Sequence, residues 1–269
     1  IKRGARVVNW CPRCQSAISD IEVNSEERQG KLYHFKYPFA DGSGFVTIAT
    51  PRPETLLGDA AVAAHPDDAR YQSLFGKMLA LPLTDRQIPL VADSYAKMEF
   101  GTGAVKVTPA HDLNDFEAGI RNQLQQIVVI GIDGKMTEIA GPGFAGLDRF
   151  DARKKVVEAM EALGLLERIE DYKIQLPLCD RCGTVIEPLL SEQWFAEMRS
   201  LAQPAIDAVE SGKINFIPER YKRIFLDWME KIQPWCISRQ LWWGHQIPVW
   251  WTEDGKYTAA RSAVEAAEK

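Results

Sequence analysis

Four of the five cysteines form two Cys-x-x-Cys pairs, Cys11/Cys14 and Cys179/Cys182, which lie far apart in the chain. Each pair sits in a tight turn, and two such turns together can supply the four thiolates of a tetrahedral zinc site. The gap is much longer than in an ordinary zinc ribbon, so four reduced thiols or two redox motifs are the alternatives. If all four bind one zinc ion, a whole domain is inserted between the two halves of a ribbon. The fifth, Cys236, lies in an apolar stretch and is expected to be a buried single thiol.

The pattern between the cysteine pairs is typical of strands joined by turns. Residues 32–39 and 45–50 have strand-like composition around an Asp-Gly-Ser-Gly turn, and short apolar runs follow at 60–64, 78–81, 88–91, 104–107 and 127–130. Residues 113–124 and 149–163 are predicted to be helical, the second with Phe150, Val156, Val157, Met160 and Leu163 on one face. After Ser191 the pattern favours helix, with Trp194, Phe195, Met198 and Leu201 on one face and a second apolar face from 224 to 235. Six of the eight tryptophans lie at Trp228 or beyond.

Two polar segments carry most of the functional information. The first is Thr50-Pro51-Arg52-Pro53-Glu54-Thr55-Leu56-Leu57-Gly58-Asp59, and the second runs from Gly101 to Asp115 and contains Lys106, Thr108, His111 and Asp112. Gly and Pro fix turns, whereas a merely structural loop does not need an Arg, a Lys, several acids and several threonines in the same turns. We refer to these segments below as the first box (50–59) and the second box (101–115).

Both boxes resemble the editing domain of class I aminoacyl-tRNA synthetases, most closely of the valyl-tRNA synthetases. The resemblance runs from about Trp10 to Trp250. The matching pieces are Arg52-Pro53-Glu54-Thr55, His65-Pro66-Asp67-Asp68, the second box, Gly146-Leu147-Asp148-Arg149-Phe150, and the stretch from Trp235 to His245. The isoleucyl and leucyl relatives usually carry a Thr-rich box that ends in a Trp-Thr pair, which favours the valyl group. Pro51 departs from the pattern because many members place a second Thr there.

The resemblance implies an α+β fold: a β-barrel-like editing domain with surrounding helices, inserted in a zinc-ribbon base and followed by a helical segment. The implied boundaries are 1–30 and 171–192 for the base, 31–170 for the editing domain and 193–269 for the helical segment leading back to a missing catalytic domain. The base would hold structural zinc through Cys11, Cys14, Cys179 and Cys182.

The implied activity is hydrolysis of threonine wrongly esterified to tRNA(Val), by a water molecule that the pocket orients. Asp115 resembles the residue that binds the substrate's α-ammonium, and Asp112 and His111 complete the catalytic set. The substrate-binding positions are Arg52, Thr50, Thr55, Lys106, Thr108 and Phe100. His111 is either a general base, a helix cap or a partner of the site residues. The alternatives are a zinc hydrolase using His111, Asp112 and Asp115, a non-catalytic zinc-ribbon tRNA-binding module, and an editing domain of the isoleucyl type.

Composition and missing motifs limit the other functions. The 269 residues are 46 % hydrophobic and 26 % charged, which is typical of an ordinary globular protein, and no apolar run approaches the roughly 20 residues of a membrane span. The net charge of −5 is a poor match for nucleic-acid binding over the whole surface. This net charge still allows a small docking site for nucleic acid on the helix that carries Arg149, Arg153, Lys154 and Lys155. The same cluster is equally consistent with an ordinary solvated helix face.

The sequence has no initiating Met and no signal-peptide core, which indicates a piece of a longer chain. We also expect a cytoplasmic monomer. The His-x-Gly-His nucleotide motif is absent, and Lys135-Met136-Thr137 only begins like the Lys-Met-Ser-Lys-Ser loop. ATP would therefore be used only by the complete parent protein. The serines at 43, 73 and 94 lack the Gly-x-Ser-x-Gly setting of a hydrolase nucleophile.

Overall fold

The computed structural model describes residues 1–269, which form thirteen strands and five α-helices. The strands are β1 Lys2–Cys11, β2 Ser16–Ile18, β3 Val23–Pro38, β4 Phe45–Thr50, β5 Ala61–Ala64, β6 Met78–Ala80, β7 Gln87–Ala92, β8 Ala104–Val107, β9 Leu166–Cys179, β10 Glu187–Ala196, β11 Trp235–Cys236, β12 Val249–Trp251 and β13 Tyr257–Ala259. The helices are α1 Leu113–Arg121, α2 Arg149–Ala162, α3 Arg199–Glu210, α4 Arg220–Glu230 and α5 Ala263–Ala267. The fold is therefore α+β, as predicted.

A long antiparallel ribbon connects the cysteine end of the molecule with the unit that carries both boxes. Strands β3 and β9 pair from Val23 opposite Cys179 to Phe35 opposite Leu166, and β4 pairs with the far end of β3. The near half of the ribbon is largely exposed and carries cross-strand ion pairs such as Lys31–Asp171 at 2.6 Å. At the far half, alternate residues of β3 turn inward, and Phe35 and Tyr37 are completely buried.

The unit between the cysteine pairs is built on a second sheet in the order β6-β7-β5-β8, in which β5 and β7 are parallel and the other pairs antiparallel. All four residues of β5 are buried, because the strand lies between β7 and β8 in the sheet interior. A core of 21 buried residues joins this sheet, the β3–β4 hairpin and the inner face of α2. The prediction of a barrel is wrong: the sheets remain open, and no closed barrel is formed.

A third sheet lies at the cysteine end, in the order β11-β10-β1-β2. Strand β10 pairs with β1 over nearly its whole length, from Glu187 opposite Trp10 to Phe195 opposite Lys2. Val8, Trp10, Leu189, Phe195 and Cys236 form a small core there. Because β1 ends at Cys11 and β9 ends at Cys179, the sheet and the ribbon bring the two cysteine turns to the same place.

Several local predictions need correction. The helical pattern after Ser191 is wrong for Trp194 and Phe195, which belong to β10; the strand buries alternate residues, and helix begins only at Arg199. Residues 127–130 form no strand and make a single bridge from Ile130 to Met136. The segment around Trp194 was misassigned because a short apolar run fits either period.

The second predicted helix is present as α2, but its inner face differs from the prediction. Arg149, Ala152, Val156 and Met160 are buried, whereas Phe150 and Leu163 are 37 % and 58 % exposed. Only Lys154 and Lys155 of the expected basic cluster are exposed, since Arg149 is buried and Arg153 pairs with buried Glu54. No helix of the structure combines the length and apolar character needed to cross a membrane.

Candidate functional site

The first box leaves the end of β4 and folds into a single 3₁₀ segment, Pro53–Gly58, whose six residues are all buried. Proline suits its first position, where no backbone N–H is required. Thr50 Oγ1 accepts a hydrogen bond from the Arg52 N–H at 3.0 Å, and the Thr55 hydroxyl donates to the Arg52 carbonyl at 3.0 Å. Both threonines of the box are thus used to fix the backbone around Arg52.

The second box brackets β8 and leads into α1. Gly103 adopts a left-handed conformation with φ of 78°, which favours glycine, and a Cβ there would also displace the guanidinium of Arg70. After β8, Asp112 caps α1 by accepting from the backbone N–H groups of Asn114 and Asp115 at 2.8 and 3.1 Å. The Thr108–Asp112 turn therefore has a fixed path between strand and helix.

The two boxes meet at Asp59, the last residue of the first. Its Oδ1 accepts from Lys106 Nζ at 2.7 Å and from the Thr108 hydroxyl at 2.6 Å, and its Oδ2 accepts from the Tyr37 hydroxyl at 2.7 Å. Lys106 Nζ also contacts the Thr108 hydroxyl oxygen. Burial raises the pKa of Asp59, and the Lys106 charge opposes that shift. The result is a buried polar cluster that joins the two boxes.

Asp115 lies in the first turn of α1 and is 8 % exposed. Its carboxylate accepts from the Thr108 N–H at 2.8 Å and from the Tyr95 hydroxyl at 2.9 Å. Burial, followed by the nearby charge of Asp112, raises the pKa of Asp115 to about 7. Its carboxyl group therefore holds its proton to a higher pH than an ordinary aspartate does.

His111 is completely buried and acts as a structural connector. Its Nε2 accepts from the backbone N–H groups of Val129 and Ile130 at 2.9 and 3.2 Å, so the proton belongs on Nδ1, which lies 3.3 Å from the Pro188 carbonyl oxygen. Burial, assisted by the charge of Arg52, lowers the pKa of His111 to about 3. With both ring nitrogens engaged, His111 has no lone pair left for a water molecule or a metal ion.

A buried network of charges surrounds Arg52. The guanidinium donates to the His111 carbonyl at 2.9 Å, makes a short contact with Glu187, and lies 3.4 Å from Glu54. Glu54 is also held by both nitrogens of Arg153, at 2.7 and 2.8 Å. Burial would raise the pKa of Glu54, but the Arg153 and Arg52 charges outweigh it and lower that pKa, whereas burial raises the pKa of Glu187.

An open cleft of about 250 Å³ lies beside the second box. Its wall includes the Gly101–Gly103 turn, Phe100, Lys97 and Tyr95. Phe100 is 55 % exposed, so one face of its ring is available to a ligand. Tyr95 also bonds Asp115, which connects the cleft to that carboxylate.

The structure brings most of the predicted site residues into one connected set. Thr50, Arg52 and Thr55 are linked through the first box; Lys106 and Thr108 meet at Asp59; Asp112 and Asp115 share the cap of α1. Among the predicted positions, only Phe100 lines the cleft itself. Sequence reasoning assigned no role to four groups that hold the site: Tyr37, Asp59, Tyr95 and Glu187. Asp59 carried a signal, since it is a lone acid between Leu-Leu-Gly and Ala-Ala, but Glu187 carried none.

The four predicted cysteine ligands also come together. Their sulfur atoms all lie within 4.8 Å of one another, and Cys11 and Cys182 are 3.4 Å apart. A tetrahedral S₄ site with Zn–S bonds of about 2.3 Å has sulfurs roughly 3.8 Å apart, so the cluster has the right size. The Cys14 N–H donates to Cys11 Sγ at 3.3 Å, as expected for a turn that presents thiolates to a cation.

Comparison with known proteins gives one consistent result. The family model described as tRNA synthetases class I (I, L, M and V) matches residues 1–269. A valine–tRNA ligase of Symbiobacterium thermophilum is 55 % identical over 270 residues, which cover 100 % of this chain and 30 % of that protein. A valine–tRNA ligase of Carboxydothermus hydrogenoformans is 54 % identical, over 100 % of this chain and 31 % of that protein. A valine–tRNA ligase of Coxiella burnetii is 51 % identical, over 100 % of this chain and 29 % of that protein. The chain thus spans about 30 % of the length of these curated relatives.

Proposed function

The chain belongs to the class I tRNA synthetases, and from that membership we propose that it is the editing part of a valyl-tRNA synthetase. Its reaction is hydrolysis of the ester that joins threonine to tRNA(Val). The observation that carries the proposal is the convergence of the two boxes, in which Lys106 and Thr108 of one box bond Asp59 of the other. We infer the substrate from the relatives' printed name and from the polar character of these residues.

The chemical need for such a site follows from the limits of binding selectivity. An apolar synthetic pocket cannot strongly reject an isostere that adds only a hydroxyl, and the valyl enzyme facing threonine, at a factor of about 10², is the standard illustration. A second site that hydrogen-bonds the hydroxyl rejects valine much more strongly, because polar groups are otherwise left unpaired. Arg52, Lys106 and Thr108 provide donors and acceptors of that kind.

Asp115 binds the substrate's α-ammonium. The Thr108 N–H and the Tyr95 hydroxyl hold its carboxylate in place, and each of its oxygens retains acceptor capacity. Phe100, on the cleft wall, offers a face for the terminal adenine, and exposed Lys97 offers a cation to the phosphodiester backbone.

The attacking nucleophile is a water molecule oriented by the pocket and by the substrate's own ribose hydroxyl. His111 does not serve as the base in this scheme, because its Nε2 already accepts two backbone N–H groups and its pKa is lowered to about 3 by burial. The same engagement argues against a hydrolytic metal ion held by His111, Asp112 and Asp115. Asp112 acts by capping α1 and by raising the pKa of Asp115.

Zinc is the ion that best fits Cys11, Cys14, Cys179 and Cys182, because four thiolates form a closed tetrahedral site without an open position. When bound, it supplies structural cross-linking alone. The cysteines would then fix the ends of β1 and β9, at the base of the ribbon. Accordingly, we assign residues 1–30 and 171–192 to the base, 31–170 to the editing unit, and 193–269 to the segment that leads back to a catalytic domain. ATP-dependent amino-acid activation belongs to the remainder of such a parent.

The proposal is tested by incubating Thr-tRNA(Val) with the chain, with and without a chelator. We expect turnover in both cases, with any loss in chelator accompanied by unfolding. Loss of turnover in a folded, metal-free chain would support a metal hydrolase instead, and absence of turnover would support a tRNA-binding module. Preference for Val-tRNA over Thr-tRNA would indicate an editing domain of the isoleucyl type.

A further inference from the structure

Glu187 is a buried carboxylate that lies outside both boxes and was not expected to contribute to the site. It is 2 % exposed and begins β10, directly after the second cysteine turn. Its Oε1 makes the closest contact of Arg52, through Nη2, and its Oε2 lies 3.4 Å from Arg149 Nε. His111 Nδ1 is 3.8 Å from the same carboxylate. A buried acid with these neighbours is a fixed anchor for the Arg52 side chain.

The neighbouring residues of β10 hold the second box as well. The Leu190 N–H donates to the Ala110 carbonyl at 3.0 Å, and the Pro188 carbonyl faces His111 Nδ1 at 3.3 Å. The turn before the strand is held in the same way, because Arg149 Nη2 donates to the Val185 carbonyl at 2.7 Å. One short segment therefore contacts Arg52, the His111 turn and the start of α2.

We propose that Glu187 is a positioning residue for Arg52, an inference that rests on the proposed editing function. A guanidinium has five N–H donors. Three of the donors of Arg52 point to the His111 carbonyl, Glu187 and Glu54, which leaves two for a ligand. The Glu54 charge is already balanced by the two bonds from Arg153, so Glu187 is the carboxylate that sets the direction of the Arg52 fork.

The first test measures single-turnover hydrolysis of Thr-tRNA(Val) by the chain and by Glu187→Gln. We expect the hydrolysis rate to fall roughly tenfold or more in Glu187→Gln. A reoriented Arg52 N–H would no longer contact the negative charge that develops on the ester during hydrolysis. Glu192→Gln on the same strand is the control, since that exposed glutamate pairs only with Arg3 at 2.7 Å. Glu187→Asp, which keeps the charge but withdraws it by one methylene, replaces Glu187→Gln if the latter fails to fold.

A double-mutant cycle separates positioning from a general loss of structure. In an Arg52→Ala background, Glu187→Gln should slow hydrolysis by less than about twofold, since the group it positions is gone. Equal slowing in both backgrounds would overturn the proposal, because Glu187 would then act on something other than Arg52. Unchanged hydrolysis in the parent background would overturn it as well.

A second readout does not depend on activity. The Nε–H signal of Arg52 in a ¹H–¹⁵N spectrum, identified by its absence in Arg52→Lys, should shift or broaden in Glu187→Gln and remain in place in Glu192→Gln. If the parent chain does not hydrolyse Thr-tRNA, the proposed function fails while this spectrum still decides the positioning. An unmoved Arg52 signal in a folded Glu187→Gln variant overturns the inference.

Discussion

Lys106 Nζ lies 2.7 Å from Oδ1 of Asp59, a carboxylate with no exposed surface. The pair connects β8 with the end of the 3₁₀ segment Pro53–Gly58, so the two boxes cannot shift relative to one another without separating two buried charges. Tyr37 and Thr108 occupy further acceptor sites of the same carboxylate. Since breaking a buried pair from one side leaves an uncompensated charge, this contact has a measurable effect on stability.

Asp59→Asn is therefore expected to lower the free energy of unfolding by about 3–5 kcal/mol, because Lys106 is left buried without a carboxylate. Urea denaturation followed by circular dichroism measures the change. The double variant Asp59→Asn/Lys106→Met should recover most of the loss, since neither charge remains. A loss below about 1 kcal/mol in the single variant would contradict a pair of buried charges that depend on each other.

Asp115→Asn tests the ammonium-binding role. It keeps the shape and a hydrogen-bonding carbonyl but removes the charge that attracts the substrate, at a cost of about 1.5–3 kcal/mol, which is roughly ten- to a hundredfold in rate. Single-turnover deacylation of Thr-tRNA(Val) measures it, and Asp151→Asn, an exposed acid on α2, is the matched control. Activity of Asp115→Asn within about twofold of the parent would reject the role.

The pH dependence of hydrolysis follows from the same residue. Burial raises the pKa of Asp115 from 3.8 to about 7, so the folded state holds this proton more tightly than the unfolded chain. The stabilising effect of that proton is complete below pH 3.8 and is lost as the pH rises through about 7. Activity has the opposite sign, because only the ionised carboxylate attracts an ammonium.

We therefore predict that kcat/KM for Thr-tRNA rises with pH around an apparent pKa of about 7, after subtraction of spontaneous ester hydrolysis. A decrease is expected at higher pH, once the substrate's own α-ammonium loses its proton. The rising limb should be absent in Asp115→Asn. A rising limb that persists in that variant would assign the titration to another group.

The sequence predicted part of the candidate site because the site contains polar and charged residue types that a purely structural turn does not need. Lys106 and Thr108 were singled out as candidates in this way, and the Cys-x-x-Cys spacing indicated two turns that could face one ion. The sequence did not indicate which residues these side chains contact. Glu187 meets Arg52 because the start of β10 packs against the second box, where the Leu190 N–H donates to the Ala110 carbonyl, and the sequence does not show that contact.

The predicted helix boundaries are most accurate where the apolar periodicity and a helix-capping residue agree. The helices α1 and α2 begin at the predicted residues, because Asp112 and Asp148 cap them with side-chain hydrogen bonds. The barrel was wrong because closure depends on which strand edges pair, and strand composition does not encode that. The strand around Trp194 was missed because adjacent aromatic residues hid the alternation of Leu189, Gln193 and Phe195 toward the interior.

Metal content tests the cysteine cluster. We expect close to one zinc ion per chain by elemental analysis of protein purified without chelator, and much less in Cys182→Ser, because three thiolates hold zinc less tightly than four. Cys236→Ala is the control, since that thiol lies outside the cluster. Chelation should lower the melting temperature of the parent chain. Absence of zinc from the parent, or equal zinc content in all three proteins, would refute the site.

Recognition of a hydroxyl by the proposed pocket is tested by comparing the hydrolysis of Thr-tRNA(Val) with that of Val-tRNA(Val) under single-turnover conditions. In the proposed pocket, valine would place a methyl group against the polar groups of Arg52 and Lys106, at about 1–3 kcal/mol for each unsatisfied group. Two such groups give roughly a hundredfold preference for threonine, which Thr108→Val should narrow. We expect threonine to be released and valine to be retained. Equal rates for the two esters, or faster release of valine, would contradict it.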